Sequence, residues 1–298
     1  MNTHVAQNRV AELRSIFTIA SNLSRVCEFK NKNGKEVLKF LKVRPVHTIV
    51  MTSFINDNGI ENVLNRGRFY GYRNAQGKLE GIALIGHTTL VEARSEAALK
   101  ALAFKAKSSK TPIHIIMSGG TAVESFWKYY ADRGRQPRLI CTELLFEISF
   151  PFRVSDCLHE IRTAQPEELL RIAEAQAEIA CMESGVDPLQ KDREGFLRRV
   201  ARRIEQGRIF VAFENGKLIF KADIMAETGE VIYLEGIYVA PEQRGKGVGS
   251  GCLSKLSHDL LNRVQSICLL SNVEFKGAHQ SFRNAGFTNT DQCTTIFV

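Results

Sequence analysis

A glycine-rich stretch near the carboxyl end of the chain has the residue types and spacing of an anion-binding loop. In GIYVAPEQRGKGVGSGCLSKL, residues 236–256, four glycines stand two residues apart, at positions 245, 247, 249 and 251. A β-branched run precedes them and an apolar-periodic segment follows, which predicts strand, loop and helix. Because the first N–H groups of a helix are free and glycine lets a ligand approach the backbone, this geometry favours phosphate oxygens. With Arg244 and Lys246 adding positive charge, the stretch predicts a pyrophosphate site.

The spacing excludes two common nucleotide-phosphate motifs. The triphosphate loop G-x-x-x-x-G-K-[ST] would need glycine at Ala240 and a hydroxyl residue at Gly247. The dinucleotide motif G-x-G-x-x-G fails in each register, because its last position is filled by Ser250, Cys252 or Ser254. The pattern R-x-x-G-x-G does fit, at Arg244, Gly247 and Gly249.

This stretch resembles the acetyl-CoA-binding signature of the GNAT acetyltransferase family. The resemblance runs through YLEGIYVAPEQRGKGVG, and the downstream LLSNVEFKGAHQSFRNAGF is similar to the second conserved block of that family. Together they cover roughly residues 157–298. The whole chain resembles bacterial members that pair a degenerate amino-terminal acetyltransferase-like lobe with an active carboxy-terminal lobe.

The resemblance implies acetyl-CoA as a cosubstrate and assigns residues to it. The backbone of Ile237, Tyr238 and Val239 would pair with the pantetheine arm like an added strand, beside a slot where this strand splays from its neighbour. The pyrophosphate would be held by the loop, whose residues are Arg244, Gly245, Lys246, Gly247, Val248, Gly249 and Ser250. Asn272, on the neighbouring strand, is a further candidate for the cofactor site.

Acetylation of an amine needs a base for the amine proton and, less critically, an acid for the departing thiolate. Glu235 on the cofactor strand is the candidate base, with a role in binding only substrate or solvent as the alternative. Its orientation depends on whether a bulge forms at Gly236. Phe282 stands where the family usually has a tyrosine acid, so the general acid is unidentified. His279 is expected on the surface of the last helix.

Two similar hairpins indicate that one α/β unit occurs twice. GRFYGYRNAQGKLEGIALI and GRIFVAFENGKLIFKADIM share Gly-Arg, an aromatic strand, a turn and Gly-Lys-Leu. Two unrelated hairpins of similar composition are the alternative. The remaining pattern predicts a helical segment over 9–42 with a turn at NKNG, helices over 92–107, 121–134, 165–180 and 247–264, and strands over 113–120, 139–149 and 158–164.

The predicted fold class is α/β (α+β), with two tandem acyl-CoA N-acyltransferase-like units. Each unit is expected to have a mixed, largely antiparallel sheet flanked by helices, and the second to carry the splayed cofactor strand. Pro151 marks the boundary. The expected domains are a degenerate amino-terminal one at 1–152, which could serve as an acceptor-side lobe, and a catalytic acetyl-CoA-binding one at 153–298.

Composition and charge argue against nucleic acids, membranes and metal ions as partners. The net charge of +8 is spread along the chain, and its densest cluster, FLRRVARRIEQG, places Arg203 and three other arginines on the expected solvated face of an amphipathic helix. No nucleic-acid partner is therefore expected. No apolar run reaches the ~20 residues of a membrane span. Seven scattered cysteines without a C-x-x-C pair, and the lack of an H-E-x-x-H motif, predict a cytoplasmic protein without a metal site.

The leading interpretation is an acetyl-CoA-dependent N-acetyltransferase that acts by direct attack of an amine in a ternary complex. The acceptor could be a small-molecule amine or an amine of a protein or peptide. The alternative is a catalytically weak or inactive acyl-CoA-binding sensor, which Phe282 permits. A basic nucleic-acid-associated protein is a weaker third interpretation.

Overall fold

The computed structural model describes residues 23–120, 122–132 and 134–298. Their contacts divide the chain into two compact units, one up to Cys141 together with Cys293–Val298, and the other Thr142–Gln292. The division at residue 152 remains a prediction about domains. The helix predicted from residue 9 lies outside the described residues as far as residue 22.

The first unit contains a mostly antiparallel sheet covered by helices. Its elements are β1 (Val26–Glu28), α1 (Gly34–Leu41), α2 (Pro45–Asn58), β2 (Gly67–Arg73), β3 (Leu79–Gly86), β4 (Thr88–Ala93), α3 (Glu96–Lys107), β5 (Ile115–Gly119) and α4 (Ala122–Tyr130). The strands lie in the order β1-β2-β3-β4-β5, and only the β4–β5 pair is parallel among these neighbours. The last residues of the chain, Cys293–Phe297, add a strand antiparallel to β5.

From β7 onward the second unit repeats this order of elements, with one additional short helix, α6. It contains β6 (Leu139–Ile148), β7 (Arg162–Thr163), α5 (Leu169–Ser184), α6 (Pro188–Lys191), α7 (Arg193–Glu205), β8 (Ile209–Glu214), β9 (Lys217–Glu227), β10 (Val231–Val239), α8 (Val248–Leu260), β11 (Ser266–Asn272), α9 (Lys276–Asn284) and the start of β12 (Thr288–Phe297). The strands lie in the order β6-β11-β10-β9-β8-β7. The β10–β11 pair is parallel and the other pairs are antiparallel. The predicted fold class is confirmed.

The turns of both predicted hairpins are confirmed. In the first, Asn74 N–H donates to the Lys78 carbonyl at 2.9 Å between β2 and β3. In the second, Asn215 and Gly216 have φ angles of 49° and 76°, the left-handed pair that a two-residue turn matching the strand twist requires. These local turn signals fix the pairing of β8 with β9, and β9 in turn supports the strand β10.

Several sequence-based assignments need correction. The segment predicted as helical over 9–42 contains the strand β1 at Val26–Glu28, and α1 begins only at Gly34. The helix predicted over 92–107 begins only at Glu96, because Thr88–Ala93 forms β4, paired on both sides. The strand predicted over 158–164 is reduced to Arg162–Thr163. The helix predicted to end at residue 180 continues to Ser184, where Gly185 at φ 70° provides the left-handed C-cap.

The two faces of the second sheet differ in chemistry. On one face, Leu234 and Leu269 share an apolar cluster with Leu253 and Leu256 of α8. Because side chains alternate along a strand, the neighbours of Leu234, which are Tyr233 and Glu235, project from the opposite face. Helices α5 and α7 lie on that opposite face, as their hydrogen bonds to side chains of β9 show. Polar groups are thus concentrated on one side of β10.

No helix within the described ranges is both long and apolar enough to cross a membrane.

Replacing Ile296 by alanine tests the assignment of the last strand to the first unit. Ile296 is buried in the same cluster that Trp127, the single tryptophan of the chain, packs against. The cavity should lower the free energy of unfolding of that unit by about 2–4 kcal/mol. Urea titration followed by tryptophan fluorescence measures this change. The exposed neighbour Gln292→Ala should leave the transition unchanged, and an unchanged transition for Ile296→Ala would contradict the assignment.

Candidate functional site

The parallel strands β10 and β11 part halfway along their length. They pair from Val231 with Ser266 to Leu234 with Leu269. Beyond that point β10 continues to Val239 along β9, and β11 continues to Asn272 along β6. Each strand keeps its outer neighbour, so the backbone edges facing each other are left open. The splay predicted for this strand is present.

A β-bulge in β10 accompanies the point of parting. Glu235 lies opposite Asp223, and Tyr238 lies opposite Lys221. An advance of three residues along β10 therefore matches an advance of only two along β9, which defines the bulge. Gly236 in the bulge has φ 62°. A Cβ there would lie 2.4 Å from Gln176 Oε1 and 2.9 Å from Lys221 Nζ, so that no other residue fits without a shift of its surroundings. The orientation of Glu235 was expected to depend on a bulge at Gly236, and this bulge is present.

A buried lysine holds the bulge in place. The Nζ of Lys221 lies 2.7 Å from Asp223 Oδ1, 2.5 Å from Gln176 Oε1 and 3.0 Å from the carbonyl oxygen of Gly236. Its side chain is 0% exposed. Burial lowers the pKa of Lys221, and the Asp223 carboxylate opposes that shift. The ammonium therefore donates to the Gln176 side chain and to the carbonyl that the bulge turns out of the ladder, and it forms an ion pair with Asp223.

Arg203 of α7 completes this group, which corrects the expectation that it lies on a solvated helix face. Its Nη1 donates to Asp223 Oδ2 at 3.3 Å, and its side chain is 26% exposed. Burial opposes the charge, but the carboxylates of Glu235 and Asp223 outweigh this effect and raise the pKa of Arg203. Sequence reasoning missed Lys221 and Asp223, although two charged residues within the apolar strand LIFKADIM are a usable signal.

Three further carboxylates, those of Glu235, Glu143 and Glu183, act electrostatically on the phenol of Tyr233. Burial raises the pKa of Tyr233 well above its usual value, and the carboxylates of Glu235 and Glu143 raise it further. The phenol therefore keeps its proton at neutral pH. Burial, with Glu235 and Glu143 adding to it, also raises the pKa of Glu183 to about 8. Yet Tyr233 is only half-buried and Glu183 is exposed.

The glycine loop leaves the start of α8 without protein partners. Gly247 is the N-cap residue at φ 81° and has no side chain with which to cap the helix. In the part of the chain that the structure describes, the N–H groups from Gly245 to Ser250 donate to no protein acceptor. A Cβ built on Gly245 or Gly247 would meet no described atom within 4 Å. The loop therefore presents consecutive free amides to open space, as an anion site requires.

The equivalent helix in the first unit caps itself. A connection of two residues, Arg94–Ser95, joins β4 to α3, and Ser95 Oγ accepts a hydrogen bond from the N–H of Ala98. Arg94 donates to the carbonyl oxygen of Phe40 at 2.8 Å and lies 3.9 Å from the centre of its ring. Within the described part of the first unit, this connection contains no glycine and has no counterpart of the glycine loop. The two units thus differ at the group that could bind phosphate.

Several candidate cofactor residues lie together along β10 and the loop. Ile237, Tyr238 and Val239 are half-buried residues of the open part of β10. The Nε of Arg244 donates to the Val239 carbonyl oxygen at 2.9 Å, and its Nη2 lies 3.2 Å from Glu178 Oε1 of α5. The guanidinium thus ties the loop to the strand and to α5. The remaining loop residues, Lys246, Val248, Gly249 and Ser250, continue into the first turn of α8.

Asn272 lies at the end of β11, where its Oδ1 accepts a hydrogen bond from the N–H of Glu274. His279 is 4% exposed, and its Nε2 lies 2.9 Å from the carbonyl oxygen of Asn272. The expectation of a surface histidine is therefore wrong, because the side chain of His279 points from α9 toward the sheet. Phe282 is 6% exposed and packs edge-on against Phe146 at 5.5 Å between ring centres. It is a core residue that can donate no proton.

Within the described ranges, no group of three or more His, Cys, Asp or Glu residues is placed to hold a metal ion.

Comparisons with known proteins agree with this architecture. Residues 205–289 match the sequence model of the acetyltransferase (GNAT) domain. No curated protein sequence matches the chain. Among solved structures, a Drosophila protein is similar with a TM-score of 0.68 and 11% identity, over 92% of this chain and 98% of that one.

Two further solved structures are similar over nearly the whole chain. A GNAT-family acetyltransferase from Colwellia psychrerythraea has a TM-score of 0.59 and 13% identity, over 91% of this chain and 98% of that one. A tandem GNAT protein from the clavulanic acid biosynthesis pathway has a TM-score of 0.56 and 12% identity, over 92% and 97% of the two chains. Residues 205–289 thus match the GNAT acetyltransferase domain, and the chain as a whole has a fold similar to that of a tandem GNAT protein.

Proposed function

We propose that this protein is an acetyl-CoA-dependent N-acetyltransferase in which an amine attacks the thioester directly. The observation that carries the proposal is the conjunction of the open edge of β10 with the uncapped start of α8, both inside the GNAT domain. GNAT proteins generally use acyl-CoA cosubstrates and act on amine acceptors. The self-capped α3 limits the proposal to the second unit.

The residues present fit acetyl-CoA. Amides from Gly245 to Ser250 would hold the pyrophosphate, and the positive end of α8 adds to the attraction. The open backbone of Ile237 and Tyr238 would hold the pantetheine arm, while the Val239 carbonyl is shared with Arg244. When bound, acetyl-CoA supplies an acetyl thioester that an amine can attack.

Glu235 is the residue best placed to take the amine proton. It is half-buried, lies at the point where the strands part and projects from the same face as Tyr233. An amine is nucleophilic only after losing its proton, so a carboxylate at this position, acting directly or through water, would promote the reaction. Arg203 lies close enough to Glu235 for the two side chains to interact electrostatically.

No protein acid is required for the leaving group. Phe282 lies in the core, and His279 Nε2 is engaged by the Asn272 carbonyl oxygen. A thiol has a pKa of about 8.5, so the departing thiolate is a weak base that water can protonate. The apolar Phe282 also supports a second candidate function, an acyl-CoA-binding protein without turnover. Acetyl-CoA binding without acetylation of any amine in a broad panel would select that alternative.

Substitution of Gly247 by aspartate tests the loop. A carboxylate beside the pyrophosphate should weaken acetyl-CoA binding at least about 100-fold, because like charges in contact cost several kcal/mol. Isothermal titration calorimetry measures the change. Gly247→Asn, which has the same shape without the charge, should lose less affinity. The same charge placed at the exposed turn residue Gly229 should have no effect. Wild-type affinity in Gly247→Asp would overturn the loop assignment.

Substitution of Glu235 by glutamine tests the base. The isosteric amide accepts no proton, so kcat for amine acetylation should fall about 100-fold while acetyl-CoA affinity stays the same. Thiol release measured against amine concentration gives both kcat and KM. The exposed helix residue Glu205→Gln serves as the matched control. A kcat within about twofold of wild type would remove Glu235 from the mechanism.

A further inference from the structure

Two cysteines of the second unit, Cys157 and Cys252, have their sulfur atoms in contact. The Sγ–Sγ distance is 3.6 Å, although the residues are 95 positions apart in the chain. Cys252 lies near the start of α8, and Cys157 lies in the irregular segment that precedes β7. Both side chains are free thiols. Because the sulfur atoms of a disulfide are about 2.05 Å apart, an approach of about 1.5 Å would join them.

Backbone contacts hold the segment 153–157 against α8. The N–H of Ser155 donates to Ser254 Oγ at 2.9 Å. A Cβ built on Gly251 would lie 2.3 Å from the carbonyl oxygen of Asp156. A side chain at position 251 would therefore push the segment away from the helix, whereas glycine permits the close approach that brings the two sulfur atoms together.

The two thiols differ in their access to solvent. Cys157 is half-buried, whereas Cys252 is 0% exposed and lies in the apolar cluster that contains Leu253 and Leu256. Burial raises the pKa of the Cys252 thiol, and the neighbouring Cys157 raises it further. Since the thiolate is the form that reacts readily with oxidants, Cys252 is protected from direct attack. A dissolved oxidant therefore reaches Cys157 first, and Cys252 lies in contact with the oxidised sulfur.

We propose that Cys157 and Cys252 form a reversible disulfide when the protein meets a hydroperoxide, and that this bond fastens the segment 153–157 to α8. With hydrogen peroxide, the Cys157 sulfur attacks one oxygen and the O–O bond breaks, which gives a sulfenic acid and water. The Cys252 sulfur then attacks the Cys157 sulfur. The S–S bond forms as the S–O bond breaks, and the oxygen leaves with the electron pair and the thiol proton as a second water. Two thiols thus lose two protons and two electrons, and the peroxide is reduced to water.

The consequence of this bond is a more stable second unit. Joining positions so far apart in the sequence restricts the unfolded chain more than joining near neighbours does. The segment 153–157 is irregular and largely exposed, while α8 packs into the apolar cluster, so the segment moves toward the helix when the bond forms. The inference goes beyond the proposed function and holds whether or not the protein acetylates an amine.

Peptide mapping of the full chain tests the bond. The reduced protein is treated with graded amounts of hydrogen peroxide, the remaining thiols are blocked with N-ethylmaleimide, and the digest is analysed by mass spectrometry without reductant. A linked pair of peptides containing Cys157 and Cys252 should be the main oxidation product and should disappear after treatment with dithiothreitol. Cys181→Ser, at an exposed cysteine of α5, should leave the link unchanged. Cys157 found only as a maleimide adduct, as a sulfinic acid or linked to another cysteine overturns the inference.

Differential scanning calorimetry measures the stabilisation. The oxidised wild-type protein should unfold at least about 5 °C above the reduced protein. Cys157→Ser cannot form the bond, so its unfolding temperature should be the same before and after peroxide treatment. A linked wild-type protein whose unfolding temperature does not rise contradicts the stabilising role.

Gly251→Ala tests whether the close backbone contact causes the reaction. The added methyl group displaces Asp156 and with it Cys157, so the link should form at least about tenfold more slowly at a given peroxide concentration. Gly229→Ala, where a Cβ would meet no described atom within 4 Å, is the matched control. Ser254→Ala removes a hydrogen bond of the same segment and should also slow the link. Wild-type rates in both the Gly251 and the Ser254 variant, with circular dichroism like that of wild type, contradict the role of this contact.

Discussion

The buried ammonium of Lys221 is the interaction on which the geometry of the site depends. A bulge frees the Gly236 carbonyl from the ladder, and a buried carbonyl without a partner would cost about 1–3 kcal/mol. Lys221 supplies that partner and is itself neutralised by Asp223 and oriented by Gln176. Removing one member of such a buried pair typically costs about 3–5 kcal/mol. The bulge, the open edge of β10 and the position of Glu235 therefore depend on one polar cluster on the α5 side of the sheet.

The two units show how one fold can have or lack a phosphate site. In both, a helix connects the two strands of a parallel pair: α3 lies between β4 and β5, and α8 lies between β10 and β11. In the first unit two residues make the connection and a serine fills the N-cap. In the second, the longer connection ends in a glycine N-cap that leaves the amides free. Free amides in an α/β fold persist at low cost when they face solvent or a ligand, so this difference concerns binding rather than folding.

The sequence predicts well what local pattern determines and poorly what tertiary packing determines. The hairpin at Asn215–Gly216 and the glycine loop follow from short-range signals, whereas the splayed strand was implied by the family resemblance, and all three are present. Helical periodicity identifies the apolar face of α7 and so predicted that Arg203 lies on the solvated face. It does not show which arginine lies beside a buried aspartate. Glu183 gave no signal, since its raised pKa comes from burial in the folded chain and, after that, from Glu235 and Glu143 on distant segments. The role of Glu235 stays a prediction.

Amide hydrogen exchange of the full chain, with and without acetyl-CoA, tests the central claim most directly. The claim is that the free amides of the glycine loop and the open edge of β10 hold the cosubstrate, and that the first unit does not. The account predicts slower exchange in peptides covering residues 236–251, and unchanged exchange at the self-capped start of α3, residues 94–98. Unchanged exchange in the loop at saturating acetyl-CoA, or protection confined to the first unit, would contradict it.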